Sequence, residues 1–210
     1  MPMNRPALGA ALLLSLSLLS GCAPLVVGGA VVGSALVATD RRTAGTQLED
    51  QGIEVKAAAR LREALGDRVN INVQAYNRVV LLSGETRNEA DKAEAERVVA
   101  QVENVSRVHN ELQVGFLSSL TSRANDVVLA GKIKATLIDS RALQSNAFTV
   151  VVERGEVYLM GRVTEREAHV ASELIRGIPK VTKVVRLMEL ISEEELARRH
   201  PRTPTAEQSR

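Results

Sequence analysis

The residues of this chain with a capacity for catalysis are few and scattered. His109 falls in a strand-like stretch, His169 in a helical pattern and His200 in a polar tail, so no two imidazoles share the H-x-x-x-H spacing that aims two nitrogens at one metal. No G-x-S-x-G lifts a serine onto a strained turn, and Cys22 is the only thiol. Glu193, Glu194 and Glu195, like the glutamates between 89 and 96, read as solvated helical faces rather than paired acids. Gly84 and Gly161 have no neighbouring glycine with which to build a phosphate-cradling nest, and are expected at structural turns where strands end. These residues point to no enzyme, no metal and no other cofactor. Two chemistries remain: a thiol behind an apolar leader, and a cluster in which Val127, Val128 and Ile138 stand beside Lys132, Lys134 and Arg141.

The leader occupies residues 1–21. It has Arg5 in a short head and an unbroken apolar run over residues 7–19. That is too short to cross ~30 Å of hydrocarbon, and reads as a secretory signal. Leu19, Ser20, Gly21 and Cys22 resemble the lipobox of bacterial lipoproteins. The resemblance implies lipidation at Cys22, with a thioether-linked diacylglycerol and an acylated amino terminus. At ~0.8 kcal/mol per buried methylene, several acyl chains anchor a protein durably. A lone cysteine in a secreted chain otherwise invites an unwanted pairing partner, which argues against a buried structural thiol. Ala23, not Asp, follows the cysteine; where that position sorts lipoproteins, it implies the outer membrane and a body facing the periplasm. Residues 23–38 are apolar and rich in Gly, Val and Ala. They form either a linker or a small-residue helix at the membrane or against the first module.

The elements that must position the Val127–Arg141 cluster follow from a repeat. An apolar strand-like run, a glycine, a charged helical pattern and spaced valines occur around Gly84 (Val102, Val105, Val108) and again around Gly161 (Ile178, Val181, Val184). Two copies of one small module follow from this order. Module one, residues 49–115, reads as a helix over 53–65, a strand over 69–75 with one polar face, a strand over 79–83, a helix over 89–102 and a strand over 107–114. Module two, residues 124–191, repeats it with a helix over 126–138, strands over 148–152 and 156–160, a helix over 165–177 and a strand over 182–190. The fold class is α+β: two tandem αββαβ modules, each a three-stranded mixed sheet with two helices on one face. Residues 22–48 are the lipidated linker and 192–210 a partly disordered tail. Only 2% of residues are aromatic, so the cores must be aliphatic, and a net charge of +2 leaves no electrostatic footprint for nucleic acid.

Two αββαβ copies with V-x-L-x-G before an acidic helix resemble BON domains, modules of bacterial envelope proteins. The lipobox, the stretch from Ala38 through Asp40, Arg41, Arg42 and Thr43 to Gln47, and the stretch from Gly155 to Ala168 are similar to dual-BON outer-membrane lipoproteins. The resemblance implies a protein held at the membrane by acyl chains at Cys22 that binds anionic phospholipid through its second BON domain. It also implies support of outer-membrane integrity and of the outer-membrane protein assembly machinery. In those relatives an aromatic stands near the start of the first helix of module two, where this chain has Val128.

The residues give their own reason to look there. Leu129, Ile133 and Leu137 suffice for a core stripe, yet Val127, Val128 and Ile138 remain, with Lys132, Lys134 and Arg141 close by. The corresponding helix of module one has Val55 and Lys56 where module two has Val127 and Val128, and is less apolar around its circumference. Apolar residues beside basic ones suit a helix lying in a headgroup region with lysines reaching phosphates. Coverage by module one as a domain interface is the alternative use of the same surplus. A third possibility is an adaptor without lipid recognition, whose exposed sheet face or edge docks an outer-membrane assembly factor.

Overall fold

Helix α1 (Ala44–Leu65) opens at Thr43, whose hydroxyl oxygen accepts the Thr46 N–H at 3.1 Å. In the computed structural model residues 40–199 are described; the leader, Cys22, residues 23–38, His200 and the rest of the tail lie outside them. The helix starts nine residues before its expected position at 53. Its first turns carry no apolar stripe to betray them, because their buried contact is a carboxylate. Asp50 is 2% exposed and accepts the Asn77 and Arg78 backbone N–H groups, both at 2.8 Å.

Those two N–H groups belong to the turn joining β1 (Asn70–Tyr76) to β2 (Val79–Thr86), an antiparallel pair. Asn77 and Arg78 both take positive φ (50° and 66°), the turn that matches strand twist in a two-residue hairpin. Asn88 caps α2 (Glu89–Ala100), accepting the Asp91 N–H at 2.8 Å. The chain then returns parallel to β2 as β3 (Arg107–Asn110) and β4 (Gln113–Val114). The single strand expected over 107–114 is broken where Leu112 turns into the core, 1% exposed.

Module two repeats the order with α3 (Leu120–Asp139), β5 (Phe148–Glu153), β6 (Glu156–Val163), α4 (Glu165–Arg176) and β7 (Lys183–Leu190). A last helix, α5, spans Glu193–Arg199 and starts on the three glutamates, as the sequence suggests. The strand order is β5-β6-β7, antiparallel then parallel. Asp126 does in this copy what Asp50 does in the first, accepting the Arg154 and Gly155 N–H groups at 2.9 and 3.0 Å. Gly84 and Gly161 are not turns. They lie inside β2 and β6, opposite Ile71 and Phe148, with φ of 112° and 156°. A Cβ there would fall on the carbonyl oxygen of Asn70 or of Ala147, so each glycine is required by the close approach of a neighbouring strand.

Each sheet packs both its helices on one face. Ile53, Leu61, Val80, Leu82 and Val99 close the first core; Leu129, Ile133, Val157, Leu159 and Ile175 close the second. The opposite faces, expected to be partly polar and open, meet each other. Tyr76 and Leu81 from module one pack with Val151, Tyr158 and Met160 from module two in a third core. Burial on both faces explains why β2 and β6 read as continuous apolar runs. Both tyrosines of the chain are in this joint. The Tyr158 hydroxyl donates to Glu156 at 2.8 Å, and Arg42 stacks 4.2 Å from the Tyr76 ring centroid.

A short strap ahead of α1 ties the modules a second time. The Arg41 guanidinium, 1% exposed, forks onto both Glu167 carboxylate oxygens at 2.7 and 2.8 Å and donates to the Arg162 carbonyl at 2.8 Å. Arg42, its neighbour in sequence, donates instead to Asp50 of module one at 2.7 Å. The three cores draw on residues between Ile53 and Met188.

Candidate functional site

Helix α3 is apolar on two opposite sides. Ser119 caps it, accepting the Ser122 N–H at 3.2 Å, which starts it six residues before the expected position at 126. Asp126, Leu129, Ile133 and Leu137 are buried and make the inner stripe. On the other side Leu120, Val127, Val128 and Ile138 are 79%, 72%, 59% and 67% exposed. Ala124, Gly131 and Ala135, which share that side at 100° per residue, are exposed as well. The outward face from Leu120 to Ile138 therefore carries no charge over about 27 Å.

Basic residues flank this face. Lys132 and Lys134 are exposed on α3, and Arg141 is exposed just beyond its end, off the helix itself. None of the three has an ion-pair partner among the described residues. The equivalent helix of module one is arranged differently. The buried sets Asp50, Ile53, Ala57, Leu61 and Asp126, Leu129, Ile133, Leu137 superpose the copies so that Lys56 matches Lys132. Val127 and Val128 thus correspond to Gln51 and Gly52, not to Val55 and Lys56 as expected from the sequence. Lys56 and Arg60 both pair with Glu103, at 3.3 and 3.1 Å. The first copy pairs Lys56, whereas the second leaves its counterpart Lys132 without an ion-pair partner among the described residues.

Module one does not cover the surplus on α3, because the modules meet through their sheets. Val127 borders a groove of ~390 Å³ shared with Asn70, Ile71 and Asn72 of β1, yet stays mostly exposed. The groove itself is unsuited to an anion. Glu153 lies in it beside Asp126; burial first, then the charges of Glu85 and Asp126, push its pKa up to about 7. The histidines do not converge. His109 is half-buried on β3 with its pKa lowered by burial and then by Arg107, and His169 lies on α4. Among the described residues no group of His, Cys, Asp and Glu is arranged to hold a metal, and no helix is long and apolar enough to cross a membrane.

All six basic and apolar residues singled out in the sequence are exposed along α3 or just after it. Leu120 and the exposed pair Phe116 and Leu117, ahead of the helix, escaped sequence reading. The signal was present in Ser119 and Ser122, a capping pattern six residues upstream of the assigned start.

Comparison with known proteins adds to this geometry. The BON domain family model matches residues 49–115 and 125–192. The chain is 34% identical over 176 residues to the outer membrane lipoprotein DolP of Haemophilus influenzae, covering 81% of this chain and 91% of the relative. It is 30% identical over 154 residues to a 21 kDa hemolysin of Actinobacillus pleuropneumoniae, covering 72% and 79%. It is 29% identical over 148 residues to the osmotically-inducible protein Y of Escherichia coli, covering 67% and 72%.

Proposed function

Because this chain belongs to the BON-domain family, as a dual-BON protein like the outer membrane lipoprotein DolP, we propose that it is a lipid-anchored binding protein of the outer membrane. Its body faces the periplasm, held by acyl chains at Cys22. Its second module binds anionic phospholipid through the outward face of α3, and by doing so supports outer-membrane integrity and envelope protein assembly. The reading is of a binder, not a catalyst.

The observation that carries it is the uncharged outer face of α3 with unpaired Lys132 and Lys134 at its sides. A helix of this kind lies in the interface plane, its apolar side at the acyl boundary and its lysines extended to phosphates. Each cation near an anionic surface contributes ~1 kcal/mol, so Lys132, Lys134 and Arg141 together suffice for selectivity once the anchor has supplied proximity. An adaptor working through an exposed sheet face loses its surface, since those faces are buried between the modules. Val128 in place of an aromatic spreads the apolar contact along the helix rather than concentrating it at one ring.

Vesicle flotation of the non-acylated chain from residue 23 onward tests the reading. Phosphatidylglycerol vesicles carry the protein up at low salt and release it as salt rises, and phosphatidylcholine vesicles do not carry it. Val128→Glu with Lys132→Glu abolishes flotation. Undiminished flotation of that double variant removes α3 from the account.

A further inference from the structure

We propose that Phe116, on the connection between the two modules, is a membrane-inserting aromatic that wedges into the bilayer interface at the N-terminal end of α3. The proposal rests on the lipid-binding reading of that helix and extends it to a segment outside the helix.

The chain has two phenylalanines. Phe148 is a core residue, 8% exposed, while Phe116 is 96% exposed. A ring left almost wholly in water on a loose loop would need no explanation, but this connection is fastened on both sides of it. Gln113 and Val114 are paired to Glu85 and Thr86 as β4, and the Gly115 N–H donates to the Thr86 carbonyl at 2.8 Å. Two residues past the ring, the Ser118 hydroxyl donates to the buried carboxylate of Glu85, and Arg123 donates to the Ser118 carbonyl at 3.3 Å. Residues 116 and 117 form the tip between these two attachments. The fold holds the ring out instead of letting it fold back onto the body.

The tip is continuous with a surface already described. Leu117 is 36% exposed and Leu120 is 79% exposed, and Leu120 begins the uncharged outer stripe of α3. The nearest helix cation, Arg123, is exposed at the same end. An aromatic at one end of an in-plane amphipathic helix, with basic residues alongside, suits the depth at which headgroups meet acyl chains. The occupant that fits is the interface of a bilayer containing anionic phospholipid.

The absence of tryptophan from the chain makes the test direct. Phe116→Trp in the chain from residue 23 onward introduces a sole indole. With phosphatidylglycerol vesicles its emission moves to the blue, and brominated acyl chains quench it. Leu48→Trp, at an exposed site on α1, keeps its aqueous emission under the same conditions. Phe116→Ser lowers vesicle affinity roughly tenfold or more, as loss of a buried aromatic would. If the protein floats on the vesicles while the indole at 116 keeps its aqueous emission, the wedge is wrong and the α3 reading stands. If the unsubstituted chain fails to float on these vesicles, the lipid reading fails and takes the wedge with it. A blue shift that grows with protein concentration in the absence of vesicles marks the tip as a protein contact and overturns the proposal.

Discussion

Arg41 and Arg42 are adjacent in sequence and committed to different modules. Arg41 and Glu167 are almost fully buried, with side chains 1% and 4% exposed. Burial alone would raise the Glu167 carboxyl. Hydrogen bonds from Arg41 and from the Thr164 N–H, with the Arg41 charge, outweigh it and hold the pKa below the usual carboxylate value. Arg41→Ala leaves that carboxylate buried and unpaired, and urea unfolding at pH 7 should show a loss of roughly 3–5 kcal/mol. Since the native pKa is depressed, the stabilisation from Glu167 is complete above the ordinary carboxylate pKa and is lost as pH falls through the native value. The pairing was illegible in the sequence, because its partners are 126 positions apart and both are common surface residue types. Asp50 and Asp126 were better placed to be seen. They occupy the same position in the two copies, each just ahead of a buried Ile or Leu, yet periodicity ranks apolar residues and passes over a buried acid.

At the scale of elements, the order and topology of both modules were readable, and the ends of the elements were less so. Helices α1 and α3 begin upstream of their expected starts because hydroxyl caps at Thr43 and Ser119, not apolar stripes, set their first turns. Strands β2 and β6 outrun their expected ends because Gly84 and Gly161 serve close strand approach inside the sheet. The surplus on α3 was visible as residues too apolar for their position. Which residues of α1 they correspond to was not, until burial fixed the register. The end of β5 and the start of α3 also set a measurable pH response. Glu153, raised to about 7 by burial and then by Glu85 and Asp126, with Arg123 and Arg154 opposing, keeps its proton in the folded state at pH values where the unfolded chain has released it. Folding stability therefore declines as pH rises from about 5 to 8. Chemical denaturation across that range should show the decline, and Glu153→Gln should flatten it and be the more stable form at pH 8.

At the scale of the whole molecule, the two copies use one fold in two ways. Their sheets bury each other through Tyr76, Leu81, Tyr158 and Met160, and the Arg41–Arg42 strap fixes the same joint from the N-terminal side of α1. Sequence alone left open whether the surplus on α3 faced module one or the outside. Continuous apolar runs in β2 and β6 held the answer, since strands buried on both faces imply sheet-to-sheet docking that leaves the helices outermost. With the sheet faces spent on the joint, the outer face of α3 and the adjoining Phe116 tip present Phe116, Leu120, Val127, Val128 and Ile138 to solvent. Backbone amide NMR of the non-acylated chain, titrated with phosphatidylglycerol vesicles, tests this most directly. The account predicts that signals shift or broaden over residues 116–141 and stay unchanged along α1 and the edge strands β3 and β7. Perturbation along those edges with α3 silent would contradict it, and would make docking through a sheet edge the better description of this protein.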